Sequence, residues 1–315
     1  MDLSIIIVGY KCCPDIENAV ISIHEHFKDI SYEIILVNNY AGDELLPDLI
    51  ARHPDIILID NGINSGFGVG NNAGLAVAKG KYVCFLNPDI IIVNSILPLL
   101  SVMESDGNIG LIGPLLRNID RTVQLSHQDL PSLRYWFDKC FYVNTLRRKL
   151  AIRNNGAGND PVDEEDIEAG WVSGAYMLTR SDLMEKLGGF DPAIFMYNED
   201  VDLCWRVHDA GYRILFSSKS EAIHIGGVTS DSKSDFKART MVTSLVIVWN
   251  KHFSEKDIRI LLRMTYWSAL LKAFSLTVLC ALRQGANKNT RDYYRVRAES
   301  ARNQIVTRMR GPRVI

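Results

Sequence analysis

The sequence predicts an α/β fold, a mostly parallel central sheet flanked by helices, with a helical extension at the C-terminal end. Three features carry that expectation. Short β-branched apolar runs alternate with segments of helical period; each run ends in small or polar residues; and the last part of the chain turns helical and basic. Alternation of this kind marks a doubly wound sheet, whose ligands bind beyond the carboxyl ends of the strands.

Leu3 to Val8 is an apolar run of the sort buried in parallel sheets, and it ends in Gly9-Tyr10. A helix follows Pro14-Asp15, with Ile16, Val20, Ile23 and Phe27 on its apolar side. Glu33 to Val37 is the second strand, ending in Asn38-Asn39. A helix around Glu44 to Arg52 leads to the third strand, Ile56 to Ile59, which ends in Asp60-Asn61. These three polar strand ends are expected to cluster at one site.

The stretch Asn64-Ser65-Gly66-Phe67-Gly68-Val69-Gly70-Asn71-Asn72-Ala73-Gly74 then leads into a small-residue helix, Leu75 to Ala78. Its glycine spacing differs from the Gly-x-Gly-x-x-Gly of dinucleotide folds and it follows the third strand, not the first. Without Gly-Lys-Ser/Thr it is not a P-loop. The glycines permit close backbone approach to a ligand, and the helix start suits a phosphate or another polar group. Lys81 to Leu86, the fourth strand, ends in Asn87-Pro88-Asp89. A carboxylate there, stiffened by proline, suits a hard cation or a diphosphate bridged through one. A helix from Ser95 to Glu104 and a strand near Ile109 to Gly113 follow.

Regular patterning fades between Arg117 and about Glu168. This span mixes aromatics (Tyr135, Trp136, Phe137, Phe141, Tyr142), bases (Arg147, Arg148, Lys149, Arg153) and the acids Asp163-Glu164-Glu165-Asp166, and reads as an insertion or lid over 117–168. Trp171 to Thr179 resumes as a strand, with Ser173-Gly174-Ala175 small enough to border a sugar-sized ligand. After the turn Gly188-Gly189-Phe190-Asp191-Pro192, the stretch Phe195 to Arg206 places Glu199, Asp200 and Asp202 near the start of an amphipathic helix whose apolar positions include Leu203, Val207 and Ala210. First-turn amides stabilise such carboxylates. The rings of Phe195, Tyr197 and Trp205 give them the apolar setting of a general base. Tyr212 to Phe216 and Ala222 to Ile225 read as two more strands, the second carrying His224 before Gly226-Gly227.

A net charge of −2 over 315 residues, with 47% hydrophobic residues, describes a packed globular chain without a general attraction to nucleic acid. The six cysteines include the adjacent pair Cys12-Cys13 and no Cys-x-x-Cys. That argues against a disulfide framework or a zinc knuckle and favours a reducing compartment. The chain enters a strand at once, so no signal peptide is expected.

Phe236 to Phe253 reads as a helix closing a catalytic domain over 1–250, with Val242, Leu245, Val246 and Trp249 on its apolar side. Residues 251–315 form a helical, basic extension. Ile258 to Leu282 is a long apolar helix whose length approaches a membrane span. Its bases Arg259, Arg263 and Lys272, with Trp267, suit a helix lying in the membrane interface better; packing on the catalytic domain or on a homodimer partner is the alternative. Arg283 to Arg313 is rich in Lys and Arg, as attraction to an anionic leaflet requires. It has none of the aromatic–basic interleaving of a nucleic-acid module.

Taken together, Ile7-Val8-Gly9-Tyr10, Val37-Asn38-Asn39, the Asn64 to Asn72 loop, Leu86-Asn87-Pro88-Asp89, Ser173-Gly174-Ala175, Gly189-Phe190-Asp191, Asn198-Glu199-Asp200-Val201-Asp202 and His224-Ile225-Gly226-Gly227 resemble the rhamnosyltransferase-like branch of the family 2 glycosyltransferases, which have the GT-A fold. The resemblance implies an inverting, non-processive transferase moving a sugar, foremost L-rhamnose from dTDP-L-rhamnose, to a saccharide or lipid-linked acceptor in bacterial surface-polysaccharide assembly. A UDP-sugar donor, or a catalytically silent sugar-nucleotide-binding scaffold, stays open. The resemblance makes Asp200 the base. It puts Val8, Gly9, Tyr10, Asn38, Asn64, Gly66, Phe67, Gly68, Asn71, Asn87 and Asp89 on the donor side. Trp171, Ser173, Gly174, Ala175, Glu199 and Asp202 fall near the acceptor or sugar, and Asp89 with His224 would hold Mg or Mn. It further implies a cytoplasmic protein, peripheral at the inner face of the membrane. Two positions depart from the family pattern. Asn38 stands where the family has Asp after the second strand, and Asn87 takes the first place of its Asp-x-Asp element. A Gln-x-x-Arg-Trp segment is absent, which disfavours a processive synthase.

Overall fold

The computed structural model describes residues 1–141, 143, 166–226, 235–282 and 288–310. Its strands are β1 (Leu3–Gly9), β2 (Tyr32–Asn38), β3 (Ile56–Asp60), β4 (Tyr82–Leu86), β5 (Ile90–Ile92), β6 (Ile109–Arg117), β7 (His127–Gln128), β8 (Asp166–Glu168), β9 (Trp171–Val172), β10 (Tyr176–Arg180) and β11 (Arg213–His224). Its helices are α1 (Cys13–His26), α2 (Leu46–Arg52), α3 (Phe67–Leu75), α4 (Leu97–Ser105), α5 (Leu133–Phe141), α6 (Ser181–Leu187), α7 (Glu199–Asp209), α8 (Asp235–His252), α9 (Glu255–Leu282) and α10 (Lys288–Arg310). The chain falls into two compact units, residues 1–130 with 159–229, and residues 131–158 with 230–315.

The first unit is built on a sheet of order β3-β2-β1-β4-β10-β6-β11-β5, with β8 also pairing β11. The neighbours β3, β2, β1 and β4 are parallel, β10 runs against both β4 and β6, and β11 lies parallel to β6. Period-two alternation explains why helices cover both faces. Leu3, Ile5 and Ile7 pack with Ile16, Val20 and Ile23 of α1, Leu46 and Leu49 of α2 and Leu99 of α4. Ile6 and Val8 face the other way, with Leu183 of α6 and Leu203 and Val207 of α7. Each such side chain taken from water contributes about 1.5–3 kcal/mol. The register pairs Gly9 with Asn38 and Asn38 with Asp60, so the three polar strand ends lie side by side.

Several elements differ from the expectation. The helix placed at Leu75 to Ala78 begins earlier and occupies Phe67–Leu75, within the glycine run. A Cβ on Gly70 would stand 2.7 Å from Val8, and one on Gly74 would stand 2.5 Å from Ile6. These two glycines let α3 lie close on β1. The stretch expected as one strand from Trp171 to Thr179 is β9 and β10, interrupted at Ser173–Ala175 and belonging to different sheets. The two strands expected from Tyr212 to Ile225 form the single β11, with its register shifted between Ser217 and Glu221. β5 was too short to register as a strand in the sequence. In the irregular span, Leu133–Phe141 is helical, whereas Arg147, Arg148, Lys149, Arg153 and the acids 163–165 lie outside the described residues.

The second unit has its own core, in which Trp136 and Cys140 of α5 pack with Leu245, Val246 and Trp249 of α8 and Ile258, Leu261 and Leu262 of α9. Trp136 Nε1 donates to Thr265 Oγ1 at 2.9 Å. Helix α8, placed from sequence in the 1–250 domain, groups with this unit. Most of the basic tail is helix α10; residues 283–287 and 311–315 lie outside the described set.

Candidate active site

The carboxyl ends of the parallel strands hold the predicted site, together with side chains that arrive from distant parts of the first unit. Asp89 is buried just beyond β4. His224 reaches it from β11, which pairs with β5 so that Ile90 faces His224. His224 Nε2 lies 3.4 Å from Asp89 Oδ1, and the Gly226 amide donates to Asp89 Oδ2 at 3.0 Å. His224 Nδ1 is 2.6 Å from Gln124 Oε1. Gln124 Nε2 donates to Asn118 Oδ1 at 3.1 Å, and Asn118 in turn donates to Thr122 Oγ1 at 2.9 Å. The chain fixes the Gln124 amide with its oxygen toward the histidine. Nδ1–H can then donate to Gln124, which orients the ring with Nε2 directed to Asp89. An oxygen and a nitrogen donor converge here, a set that fits a divalent cation. Asp15, on the first turn of α1, has its carboxyl raised by burial and then by the Asp89 charge, which puts further negative potential at this end.

The proposed base is linked to this pair by a small turn. Ser173, Gly174 and Ala175 connect β9 to β10. The Ala175 carbonyl accepts the Asn87 amide at 2.8 Å, and the Gly174 amide donates to Asp200 Oδ2 at 3.1 Å. One three-residue segment therefore touches both the Asn87-Pro88-Asp89 turn and Asp200. A Cβ on Gly174 would lie 3.2 Å from the Asp200 Cβ and 3.6 Å from the Phe67 ring, so only glycine fits without displacement. Asp200 is half-buried in the first turn of α7, and its Oδ1 accepts the Val201 amide at 2.9 Å. Tyr197 and Asn198 precede the helix in left-handed conformation, φ 67° and 65°. That costs about 1–3 kcal/mol for each such non-glycine residue, and the strain sits where the acids are aimed.

The three acids separate clearly. Asp202 is fully buried and accepts from Arg206 Nε at 2.9 Å, while Arg206 Nη1 also donates to the Leu187 carbonyl at 3.1 Å. Its carboxylate ties α7 to α6. Glu199 is buried and its Oε2 has no hydrogen-bond partner among the described residues. Burial, and then the Asp200 charge, push its carboxyl up to about 8. Asp200 is the least buried of the three, and its Oδ2 accepts the Gly174 amide of the Ser173–Ala175 turn.

At the other strand ends, Asn38 is spent on its own turn. Its Oδ1 accepts the Tyr40 amide at 3.1 Å, and its Nδ2 donates to the Tyr40 carbonyl at 2.9 Å and to Asp60 Oδ1 at 3.1 Å. The carboxylate absent at position 38 is thus present beside it, on the neighbouring strand. Tyr10 and Tyr40 meet edge to face at 5.5 Å, and Lys11 Nζ stands 4.4 Å from the Tyr40 ring centre. Buried Asn39 binds the glycine loop: its Nδ2 donates to the Gly66 carbonyl at 3.0 Å, and its Oδ1 accepts from Asn61 at 2.9 Å and Ser65 at 3.1 Å. Asn64 Oδ1 caps the Gly66 amide at 3.1 Å. Gly66 has φ +85°, and a Cβ there would meet the Phe195 carbonyl at 2.2 Å. Gly68 packs on Phe190. Asn71 is buried, with Nδ2 on the Phe67 carbonyl at 3.0 Å and Oδ1 lacking a partner among the described residues. Asn72 makes two 2.8 Å bonds with the Phe190 backbone, joining the loop to the turn before the acids. Trp171 is half-buried in β9.

Sequence reasoning missed Gln124, Tyr40 and Asn72 as site residues. Gln124 stands in a stretch without period, where nothing local marks it. Asn72 lay inside a recognised motif, but its partner is far away in the chain. Asp60 was seen as a polar strand end without a role.

The family model for glycosyl transferase family 2 matches residues 4–171. Rhamnosyltransferase WbbL of Escherichia coli is 31% identical over 212 residues, 64% of this chain and 73% of that protein. N-acetylglucosaminyl-diphospho-decaprenol L-rhamnosyltransferase of Mycobacterium tuberculosis is 27% identical over 237 residues, 70% of this chain and 75% of that protein. Among solved structures, a mannosyltransferase from Pyrobaculum calidifontis in complex with GDP-Man and Mn2+ is similar, with a TM-score of 0.54 at 16% identity, over 98% of this chain and 86% of that one. That likeness shows the GT-A fold.

Proposed function

From the premise that this chain belongs to glycosyl transferase family 2, and is a glycosyltransferase of its rhamnosyltransferase-like kind, we propose that it transfers L-rhamnose from dTDP-L-rhamnose to a saccharide or lipid-linked saccharide with inversion. One observation carries the reading: the Ser173–Ala175 turn links Asp200, which it contacts directly, to the Asp89–His224 pair, which it reaches through Asn87. Asp200 takes the proton of the acceptor hydroxyl while its oxygen forms the bond to the anomeric carbon. The bond to the nucleoside diphosphate breaks on the opposite face, and its electron pair leaves with the diphosphate. Gly174 holds Asp200 in place, and Asp202 anchors its helix through Arg206. Asp89 and His224 would hold a divalent cation, Mg or Mn, which neutralises diphosphate charge when bound; the Mn2+ named with the similar mannosyltransferase supports that class of ion.

The test is release of dTDP or UDP from a panel of donors with purified acceptor saccharide. Turnover is expected with dTDP-rhamnose. Donor binding without turnover on any acceptor would instead make the chain a scaffold, the reading that Asn38 and Asn87 leave open.

Asp60 supplies beside Asn38 the charge that position 38 lacks, its carboxylate accepting the imide N–H of thymine or uracil. Asp60→Asn is expected to raise the donor KM roughly 10- to 100-fold with kcat little changed, the size of a charge-assisted hydrogen bond. Adding Asn38→Asp should recover part of it. An unchanged KM would remove Asp60 from the donor site.

Gln124 positions His224. Gln124→Leu is expected to weaken Mn2+ affinity by about 10- to 100-fold, as loss of an outer partner of a metal-bound imidazole does, while Gln124→Glu restores an acceptor and affinity. Equal Mn2+ titrations for wild type and Gln124→Leu would contradict this role.

None of the described helices is long and apolar enough to cross a membrane. Helix α9 nevertheless exposes Trp267, Leu271, Phe274 and Val278 at helical spacing, 43% to 69% accessible, and α10 carries many Arg and Lys residues. We read this unit as lying on an anionic membrane surface, where a lipid-linked acceptor is found. Trp267→Glu with Phe274→Glu should lower sedimentation with anionic vesicles at least tenfold, since each loses about 1.5–3 kcal/mol of apolar burial. Unchanged sedimentation would refute the placement.

A further inference from the structure

The first unit carries a second cluster of metal-ligating side chains at the opposite end of the sheet. His24 stands in the last turn of α1, His53 directly after α2, and Asp55 directly before β3. These are the amino ends of the strands, whereas Asp89 and Asp200 are at the carboxyl ends. The five-residue β3 at about 3.3 Å per residue puts roughly 15 Å of sheet between them. One ligand atom from each of His24, His53 and Asp55 lies within 4.8 Å of the other two.

The contacts around the cluster arrange it for a metal. His24 Nε2 faces Asp55 Oδ2 at 3.3 Å. Its other ring nitrogen, Nδ1, is 2.7 Å from the Tyr32 hydroxyl, whose oxygen can accept Nδ1–H and so select the tautomer with a lone pair on Nε2. The rings of His24 and His53 stack at 6.2 Å between centroids, 19° from parallel. His53 Nε2 lies 3.7 Å from Glu17 Oε1, and that carboxylate is held by Arg52 through Nε at 2.7 Å and Nη2 at 3.0 Å. His24 therefore has a hydrogen-bonded neighbour of the kind that orients metal-bound histidines, and His53 has a carboxylate nearby. Two imidazoles and one carboxylate are the donors preferred by Zn2+ and the later first-row ions. Mg2+ and Ca2+ prefer shells made of oxygen.

We propose that His24, His53 and Asp55 form a zinc-class metal site, separate from the donor site, that ties the end of α1 to the α2–β3 junction. The metal would sit between His24, His53 and Asp55, and water would complete a tetrahedral shell. Binding adds a tie between segments already joined by the α1–α2 core packing and the surface pair Arg52–Glu17, so it acts on stability and not on the reaction.

The test is titration of the metal-stripped full chain with Zn2+ in a calorimeter, with excess Mg2+ present, followed by thermal unfolding. One Zn2+ is expected to be lost in His24→Ala and in His53→Ala and retained in Asp89→Asn. Tyr32→Phe should weaken it by about 10- to 100-fold, the cost of removing an orienting partner, which a plain His24–Asp55 ion pair would not show. Zn2+ should raise Tm of the wild type by several degrees, RT ln(1 + [Zn2+]/Kd) of added stability, and leave His53→Gln unmoved. Zinc affinity equal in wild type, His24→Ala, His53→Ala and His53→Gln would overturn the site, as would loss of all zinc binding in Asp89→Asn alone. Should His24→Ala unfold, His53→Gln and Tyr32→Phe decide.

Discussion

Asp200→Asn is expected to lower kcat by about 100- to 10,000-fold, the usual worth of a general base, while the Kd of the sugar nucleotide and Tm change little. The geometry makes this a selective test. Asp200 touches the Gly174 and Val201 amides, neither of which holds donor or metal. Asparagine keeps one of the two acceptor oxygens. The side chain thus stays aimed at the turn, but an amide cannot take a proton at neutral pH. Dissociation constants from donor titration separate the two steps: a lost kcat with intact donor binding assigns the base. Full activity in Asp200→Asn would move that role elsewhere in the acid stretch.

Glu199→Gln is expected to stabilise the fold at pH 8 by an amount on the order of a few kcal/mol and to have little effect near pH 4.5. The Glu199 carboxyl holds its proton up to about pH 8 in the fold, against an ordinary value of 4.5, first because it is buried and then because Asp200 is beside it. Between those values the folded chain binds a proton that the unfolded chain has released. Stability therefore falls as pH rises from about 4.5 to about 8 and is level beyond. Glutamine has the shape of the protonated acid and removes the titration, so the variant gains over wild type across that window. Urea unfolding at pH 5 and pH 8 measures the difference, and an equal change at both pH values would place the Glu199 charge elsewhere. The same burial explains why Glu199 makes a poor candidate for the base beside Asp200: at neutral pH it already carries its proton.

Much of the first unit was legible in the sequence because its signals are local. The β-branched runs at Leu3, Glu33, Ile56 and Lys81 became β1 to β4 with their polar ends at one edge, since an apolar run flanked by turn residues has few other ways to be buried. The glycine loop was seen, but the start of its helix was placed too late. A glycine's spacing says that a side chain is excluded, not what excludes it, and here Val8, Ile6, Phe190 and Phe195 do so. β11 read as two strands because polar residues at Ser217 to Ser220 interrupt its apolar pattern, while pairing with β6 and β5 carries the strand through. The tail, expected as part of a helical, basic extension, is helical over Lys288–Arg310.

By itself, then, the sequence determined the layered α/β architecture, the family, and which residue types stand at the strand ends, because burial pattern and motif order are properties of short segments. Only the tertiary structure decided how the three acids of α7 differ in their surroundings. It sent Asp202 into an ion pair with Arg206, kept Glu199 protonated by burial, set Asp60 beside Asn38 and turned Gln124 toward His224. Burial of Glu199, the pairing of Asp60 with Asn38 and that of Gln124 with His224 depend on what a side chain meets across the fold, and partners tens of residues apart leave no periodic trace along the chain.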